Sequence, residues 1–278
     1  MPGWVCYLAW KGMNPATRPR FVTTVHGFYS VSPYSAVMLK GERVIAVSDS
    51  IAEYIRKNYP RTDSTRVCVI YRGIDLSFYS PEFQPDALWR TQWFTTFPQL
   101  ENKRLIVLPG RVSRLKGHHD FIGLVARLRA VMPEVHGLIV GDVDPAHQDY
   151  YRELQSEISG KGLGGNITFI GHRSDLREIF SMSSLVVSLS SQAESFGRTV
   201  LEALAVGTPV VAYARGGTGE ILDSLFPQGK VEVNASALLS RCTQVLEASI
   251  KPSPVPEKFT LHRMLDNTMK LYLELFGQ

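Results

Sequence analysis

The sequence predicts an α/β protein built on doubly wound parallel sheets and divided into two lobes. Short, almost wholly apolar runs recur between stretches of helical period, as at Arg104–Pro109, Val135–Gly141, Leu185–Leu189 and Pro209–Tyr213. Strands apolar on both faces belong in parallel sheets covered by helices on each side. A stretch rich in proline and aromatic residues, Leu76 to Leu100, interrupts this alternation. With 278 residues, the chain is long enough for two domains of ordinary size.

Taken in order, Trp4, Val5, Tyr7, Leu8 and Trp10 mark one apolar helix face. Strands are expected near Phe21–His26, Val44–Ser48 and Arg66–Tyr71. A helix over Asp49–Asn58 lies between the last two, because Ser48 and Asp49 are good N-terminal caps and Pro60 stops it. The Leu76–Leu100 stretch reads as the connection between lobes, with a short helix of its own. A second α/β unit starts at Lys103. After the first strand and the Gly110–Gly117 loop come a helix over His118–Met132, the Val135–Gly141 strand and a helix over Tyr150–Gly160. Then follow a strand at Ile167–Ile170, a short helix at Asp175–Met182 and the Leu185–Leu189 strand. Beyond the Pro209–Tyr213 strand, helices are expected at Gly216–Leu222 and Ala235–Ala248. A proline-rich break, Pro252 to Pro256, precedes a closing helix, Thr260–Phe276, whose apolar face is read as Met264, Leu265, Met269, Tyr272 and Phe276. The domains are expected at 1–100, 101–255 and 256–278.

Composition narrows the classes. Hydrophobic content of 44% and charged content of 20% are those of a soluble globular protein. No apolar run approaches the ~18 residues of a membrane span, and the N-terminus lacks the pattern of a signal peptide. Cys6, Cys68 and Cys242 are odd in number and far apart, which points to reduced thiols and a cytoplasmic protein. A net charge of +4 suits anionic phosphates or a membrane surface and is too small to imply nucleic acid.

The most informative segment is SSQAESFGRTVLEALAVGTPVVA, Ser190 to Ala212. The order strand, polar loop, helix, strand makes a βαβ unit, whose right-handed crossover puts the loop at the carboxyl edge of the sheet, where open α/β sheets bind ligands. Gly197 allows a close approach of backbone to ligand, and the amides after it open a helix whose positive end suits an anion. Glu194 and Glu202 can accept hydrogen bonds from hydroxyls. Acidic side chains beside an amide nest suit a ligand both hydroxyl-rich and phosphorylated, such as a nucleotide sugar. A second constellation, Gly110-Arg111 then Lys116-Gly117, lies between a strand and a helix. Two cations five positions apart can clasp a diphosphate, the arginine bidentately and the lysine as a point charge.

Together these segments resemble the signature of retaining family-4 glycosyltransferases, enzymes of the GT-B fold, and the likeness extends over nearly the whole chain. The resemblance implies two Rossmann-like lobes facing each other across a cleft, with the C-terminal helix crossing back to the first lobe. It implies that Arg111 and Lys116, with Gly110, bind the diphosphate of the leaving nucleotide, without a metal or other cofactor. It further implies that Glu194, aided by the amides of Phe196 and Gly197, binds the hydroxyls of the donor sugar, with Ser195 also among the donor-binding residues. Glu202 would grip the ribose, the Thr199 and Val200 amides would face the α-phosphate, and the backbone of Gly171-His172-Arg173 would hold the base. His26, closing the first strand, resembles the family's histidine beside the transferred sugar. It joins Glu194, Arg111 and Lys116 as a catalytic candidate without a proton-transfer role.

Arg72-Gly73-Ile74-Asp75 resembles the family's N-G-V-D turn with Arg for the usual Asn and reads as structural. Gly216-Gly217-Thr218-Gly219-Glu220 resembles its G-G-x-x-E turn, closing the phosphate side of the pocket, with Glu220 equally a helix-start residue. His118-His119-Asp120 and Asp142–His147 look metal-like but match no ligand spacing.

Before Leu100 only about three strands are visible, against the roughly five or six of a full Rossmann-like sheet. The first lobe is therefore expected to be incomplete. An assigned start placed too late is the favoured reason, with a true truncation or a divergent short form as alternatives. The expected partners are a nucleotide sugar donor and a glycan or lipid-linked glycan acceptor, as in envelope or lipopolysaccharide synthesis. That acceptor would imply peripheral contact with the inner membrane. Two rivals remain: a nucleotide-sugar 2-epimerase on the same fold, and a donor-binding remnant without activity.

Overall fold

The computed structural model describes residues 2–277. The chain opens with helix α1, Pro2–Gly12. Strands β1 (Val22–Val25), β2 (Arg43–Ala46) and β3 (Val67–Val69) then form a three-stranded parallel sheet in the order β1-β2-β3. Helix α2, Asp49–Asn58, crosses from β2 to β3. Its cap is the predicted one: Ser48 has extended backbone and its hydroxyl accepts from the Ile51 amide. Ile51 and Ile55 on one face of α2 are fully buried against Val25, Val44 and Ala46.

Helix α3, Ala87–Thr96, interrupts the Leu76–Leu100 connection. The second unit holds β4 (Arg104–Pro109), α4 (His118–Val131), β5 (Val135–Val140), α5 (Gln148–Gly160), β6 (Ile167–Phe169) and α6 (Leu176–Ser181). It continues with β7 (Leu185–Ser188), α7 (Arg198–Ala205), β8 (Val210–Tyr213), α8 (Gly217–Leu225), β9 (Lys230–Val231) and α9 (Ala235–Ala248). The six strands are all parallel in the order β6-β5-β4-β7-β8-β9. From β4 the chain first winds one way to β6 and then returns to wind the other way from β7. The reversal leaves a crevice between β4 and β7, outside their carboxyl ends. Strand β9, two residues long, is not anticipated by the sequence.

The closing helix α10, Leu261–Phe276, does cross back. Its Leu271 and Leu275 pack on Ile45 and Ile70 of the small sheet. Its buried face differs from the expected one. Leu265, Met269, Tyr272 and Phe276 are exposed, and only Met264 of the predicted set packs inward. The predicted face of α1 is likewise divided. Tyr7 and Trp10 pack on Phe21, whereas Val5 and Leu8 face outward. The Arg72–Asp75 turn joins the lobes: Ile74 donates its amide to the Phe259 carbonyl, and the Leu261 amide donates back to Ile74.

Candidate functional site

Two loops meet over the β4/β7 crevice. The first leaves β4 at Gly110 and ends at Gly117, the N-cap of α4, where φ is 72°. A side chain there would be strained, and a Cβ would sit 2.1 Å from the Leu189 carbonyl oxygen, so only glycine lets this loop lie against the end of β7. The second loop leaves β7 and turns into α7 at Gly197, with φ of 93°. The Gly217 amide donates to the Glu194 carbonyl at 2.8 Å, which ties this loop to the one opening α8.

This arrangement brings Lys116 to Glu194 across the crevice. Lys116 Nζ donates to Glu194 Oε1 at 2.6 Å, and Ser190 Oγ donates to the same oxygen at 2.6 Å. Burial pushes the Glu194 carboxyl up, but the Lys116 charge and these two hydrogen bonds outweigh it and hold it below the ordinary value. Arg111 is exposed at the mouth of the same loop and makes no ion pair among the described residues. Gly110 is held at the strand end by its amide, which donates to Val140. The site thus contains one cation neutralised in place and one free.

The amides at the start of α7 divide. Phe196, Gly197 and Thr199 keep their N–H groups without an acceptor among the described residues, whereas the Val200 amide donates back to the Gly197 carbonyl at 3.0 Å. Val200 is therefore engaged, and the free donors include Phe196, Gly197 and Thr199. The Phe196 ring is buried at the lobe junction against Tyr71 and Phe259. The Ser195 carbonyl accepts from Ser48 Oγ at 2.6 Å.

Glu202 is only 5% exposed, and two residues that the sequence reading passed over hold it. Arg198 Nε donates to Glu202 Oε1 at 2.8 Å, one helical turn away. Tyr79, from the connection between lobes, brings its hydroxyl to Glu202; burial and that carboxylate push the phenol up to about 12. Spacing of four on one helix could have revealed Arg198. No local signal could have revealed Tyr79, which is 123 positions from Glu202.

At the end of β6, His172 is exposed. The Arg173 side chain turns to Asp175, with Nε to Oδ1 at 2.8 Å and Nη2 to Oδ2 at 2.6 Å. His26 is exposed at the carboxyl end of β1, its pKa lowered by burial and by the Arg72 charge. The remaining candidates are accounted for within the fold. His118 is buried against Tyr150, His119 pairs with Glu153 and Glu157, and Asp120 accepts from the Tyr213 hydroxyl. Asp75 accepts from the Ser77 amide and hydroxyl and closes its own turn.

Two parallel α/β sheets, a crossing C-terminal helix and a polar cluster at the switch point of the larger sheet define a two-lobed protein of the GT-B architecture. The chain belongs to the glycosyl transferases group 1 family, whose model matches residues 90–255; the model of glycosyltransferase family 4 matches residues 1–78. A solved glycosyltransferase from Rickettsia africae superposes with a TM-score of 0.80 at 25% identity, covering 99% of this chain and 74% of that one. The Anabaena protein HepE, solved in complex with UDP and glucose, gives 0.72 at 25% identity, covering 89% of this chain and 66% of that one. Among curated relatives, the lipopolysaccharide core biosynthesis mannosyltransferase LpsB of Rhizobium meliloti is 28% identical over 181 residues, 65% of this chain and 48% of the relative. The chain spans about half the length of the curated relatives it matches. Among the described residues, no helix is long and apolar enough to cross a membrane.

Proposed function

We propose that this chain binds a nucleoside diphosphate sugar at the β4/β7 crevice and transfers the sugar, with retention of anomeric configuration, to a glycan or lipid-linked glycan. The observation that carries the reading is the Lys116–Glu194 pair at 2.6 Å across the switch point, flanked by the unpaired Arg111 and the free Phe196, Gly197 and Thr199 amides. Cations and amides suit a diphosphate, and Glu194 suits the hydroxyls of the sugar attached to it. As the glycosidic bond breaks, negative charge grows on the departing phosphate. Arg111 and Lys116 would stabilise it most in the transition state, where their contribution counts for rate. Bound diphosphate would draw Lys116 from Glu194, freeing that carboxylate for the sugar.

Glu202 would accept from the ribose hydroxyls, and the backbone of 171–173 would meet the base. The region 1–100 with its small sheet would serve the acceptor, with His26 beside the transferred sugar. The segment 256–278 would brace the two. The names of relatives such as LpsB and HepE support a nucleotide-sugar donor and an envelope glycan acceptor. Such work belongs in the cytoplasm, at the membrane's inner face when the acceptor carries a lipid.

Titration calorimetry with UDP, GDP and ADP tests the donor site. One nucleotide should bind, and both Lys116→Ala and Glu202→Ala should weaken it at least tenfold, the loss of one charge-assisted contact. A folded wild-type chain that binds none of the three would overturn the reading.

A further inference from the structure

A cavity of about 490 Å³ lies outside the crevice, between one face of α3 and the 172–175 loop. Trp89 and Trp93 of α3 and Phe97, its C-cap, recur every four residues and line it as a ladder. Trp89 and Trp93 are stacked at 5.1 Å and 13°, and Phe97 lies 4.8 Å beyond. Opposite them is a polar wall. Arg173 and Asp175 form their fork there, and Trp89 Nε1 donates to Asp175 Oδ2 at 2.8 Å. Burial alone would push the Asp175 carboxyl up, but the hydrogen bonds from Arg173 and Trp89 hold it low. Trp93, only 3% exposed, keeps its indole N–H buried without an acceptor.

We propose that this cavity is a second carbohydrate-binding site, which holds a neutral sugar ring of a glycan apart from the donor crevice. The chemistry selects that ligand. Aromatic faces pack against the C–H face of a pyranose, while amide, hydroxyl and guanidinium–carboxylate edges bond its hydroxyls. The cavity has the size of an ordinary ligand site. Arg173 and Asp175 cancel each other's charge, so a phosphate gains little there. The donor-base contacts proposed for the 171–173 backbone leave the side chains of this loop free to serve the cavity. The separation of this site from the base rests on the donor reading, whereas its sugar chemistry does not.

The test uses the full chain and the probes glucose, mannose, N-acetylglucosamine and maltose, followed by saturation-transfer NMR and calorimetry, with UDP titrated separately. At least one sugar should bind at millimolar concentration whether or not UDP is present. Thr96→Trp, which fills the cavity from an exposed helix position, should abolish sugar binding and leave UDP affinity unchanged. The proposal falls if no probe binds the folded chain, if Thr96→Trp binds sugar as well as wild type, or if UDP displaces the sugar. Failure of the UDP titration alone would strike the donor reading and leave this one standing.

Discussion

His118 and His136 are both fully buried, and burial pushes each pKa down to about 4 from an ordinary 6.5, with Lys103 adding to the effect on His136, and the Ser113 backbone opposing it on His118 while the His119 and Lys116 charges add to it. As pH falls below 6.5, the unfolded chain takes up protons that the folded chain refuses, so stability is greatest above 6.5 and declines toward 4. Between pH 7 and pH 5 each histidine should contribute a loss of about 2 kcal/mol. Denaturant melts at the two pH values measure it, and His118→Phe should remove its share of the slope; an unchanged slope would refute the assignment. At this scale the sequence shows the groups and hides their neighbours. Lys116 and Glu194 can be picked out because each lies in a recognisable loop, and the order of elements forces the two loops together. The burial that silences His118 depends on Tyr150, and the clasp on Glu202 depends on Tyr79. Neither partner is near in sequence, so the run His118-His119-Asp120 looks metal-like by residue type although it matches no ligand spacing.

Helix α10 illustrates what pattern can and cannot give at the level of an element. It carries two apolar stripes, Met264, Leu271 and Leu275 on one side and Leu265, Met269, Tyr272 and Phe276 about 100° around. Period identifies the helix, but it cannot choose between two stripes that fit it equally. The small sheet chooses: Ile45 and Ile70 meet Leu271 and Leu275. Leu275→Ala should therefore cost about 2–5 kcal/mol, the usual range for a buried leucine. Phe276→Ala, at a position 79% exposed, should stay within about 0.5 kcal/mol. Equal losses in chemical denaturation would return the helix to the predicted face. Long apolar strands such as β4 and β5 are legible almost to the residue, because burial on both faces leaves only Arg104 at one end and His136 as polar positions. Strand β9 is not, since two residues carry no period.

Across the whole molecule, the lobes are joined by a carboxylate acting at a distance. Glu220, in the first turn of α8, accepts from the Asp49 amide at 3.0 Å, the Ser50 amide at 2.7 Å and the Ser50 hydroxyl, so a side chain of the large lobe caps α2 of the small one. Ser48, one residue earlier, donates to the Ser195 carbonyl, the residue after Glu194. The same helix end therefore holds the small lobe against the loop between β7 and α7. From sequence Glu220 reads equally as a ligand on the phosphate side and as a helix-start residue, because its partners lie 171 and 170 positions away and nothing local marks them. A carboxylate accepting from two amides at a helix N-terminus is favoured by both hydrogen bonding and the helix dipole. Glu220→Ala should speed hydrogen exchange of the Asp49 and Ser50 amides, widen the angle between lobes seen by small-angle scattering, and weaken nucleotide binding less than Lys116→Ala does. Glu220→Gln, which keeps an acceptor oxygen and loses the charge, should fall between. If the alanine variant scatters as wild type does and the two amides exchange no faster, the contact only decorates an interface held by Tyr71, Phe196 and Phe259. If both change, the orientation of the lobes is set by a charge on one lobe meeting a helix end on the other, and the geometry of the cleft follows from it.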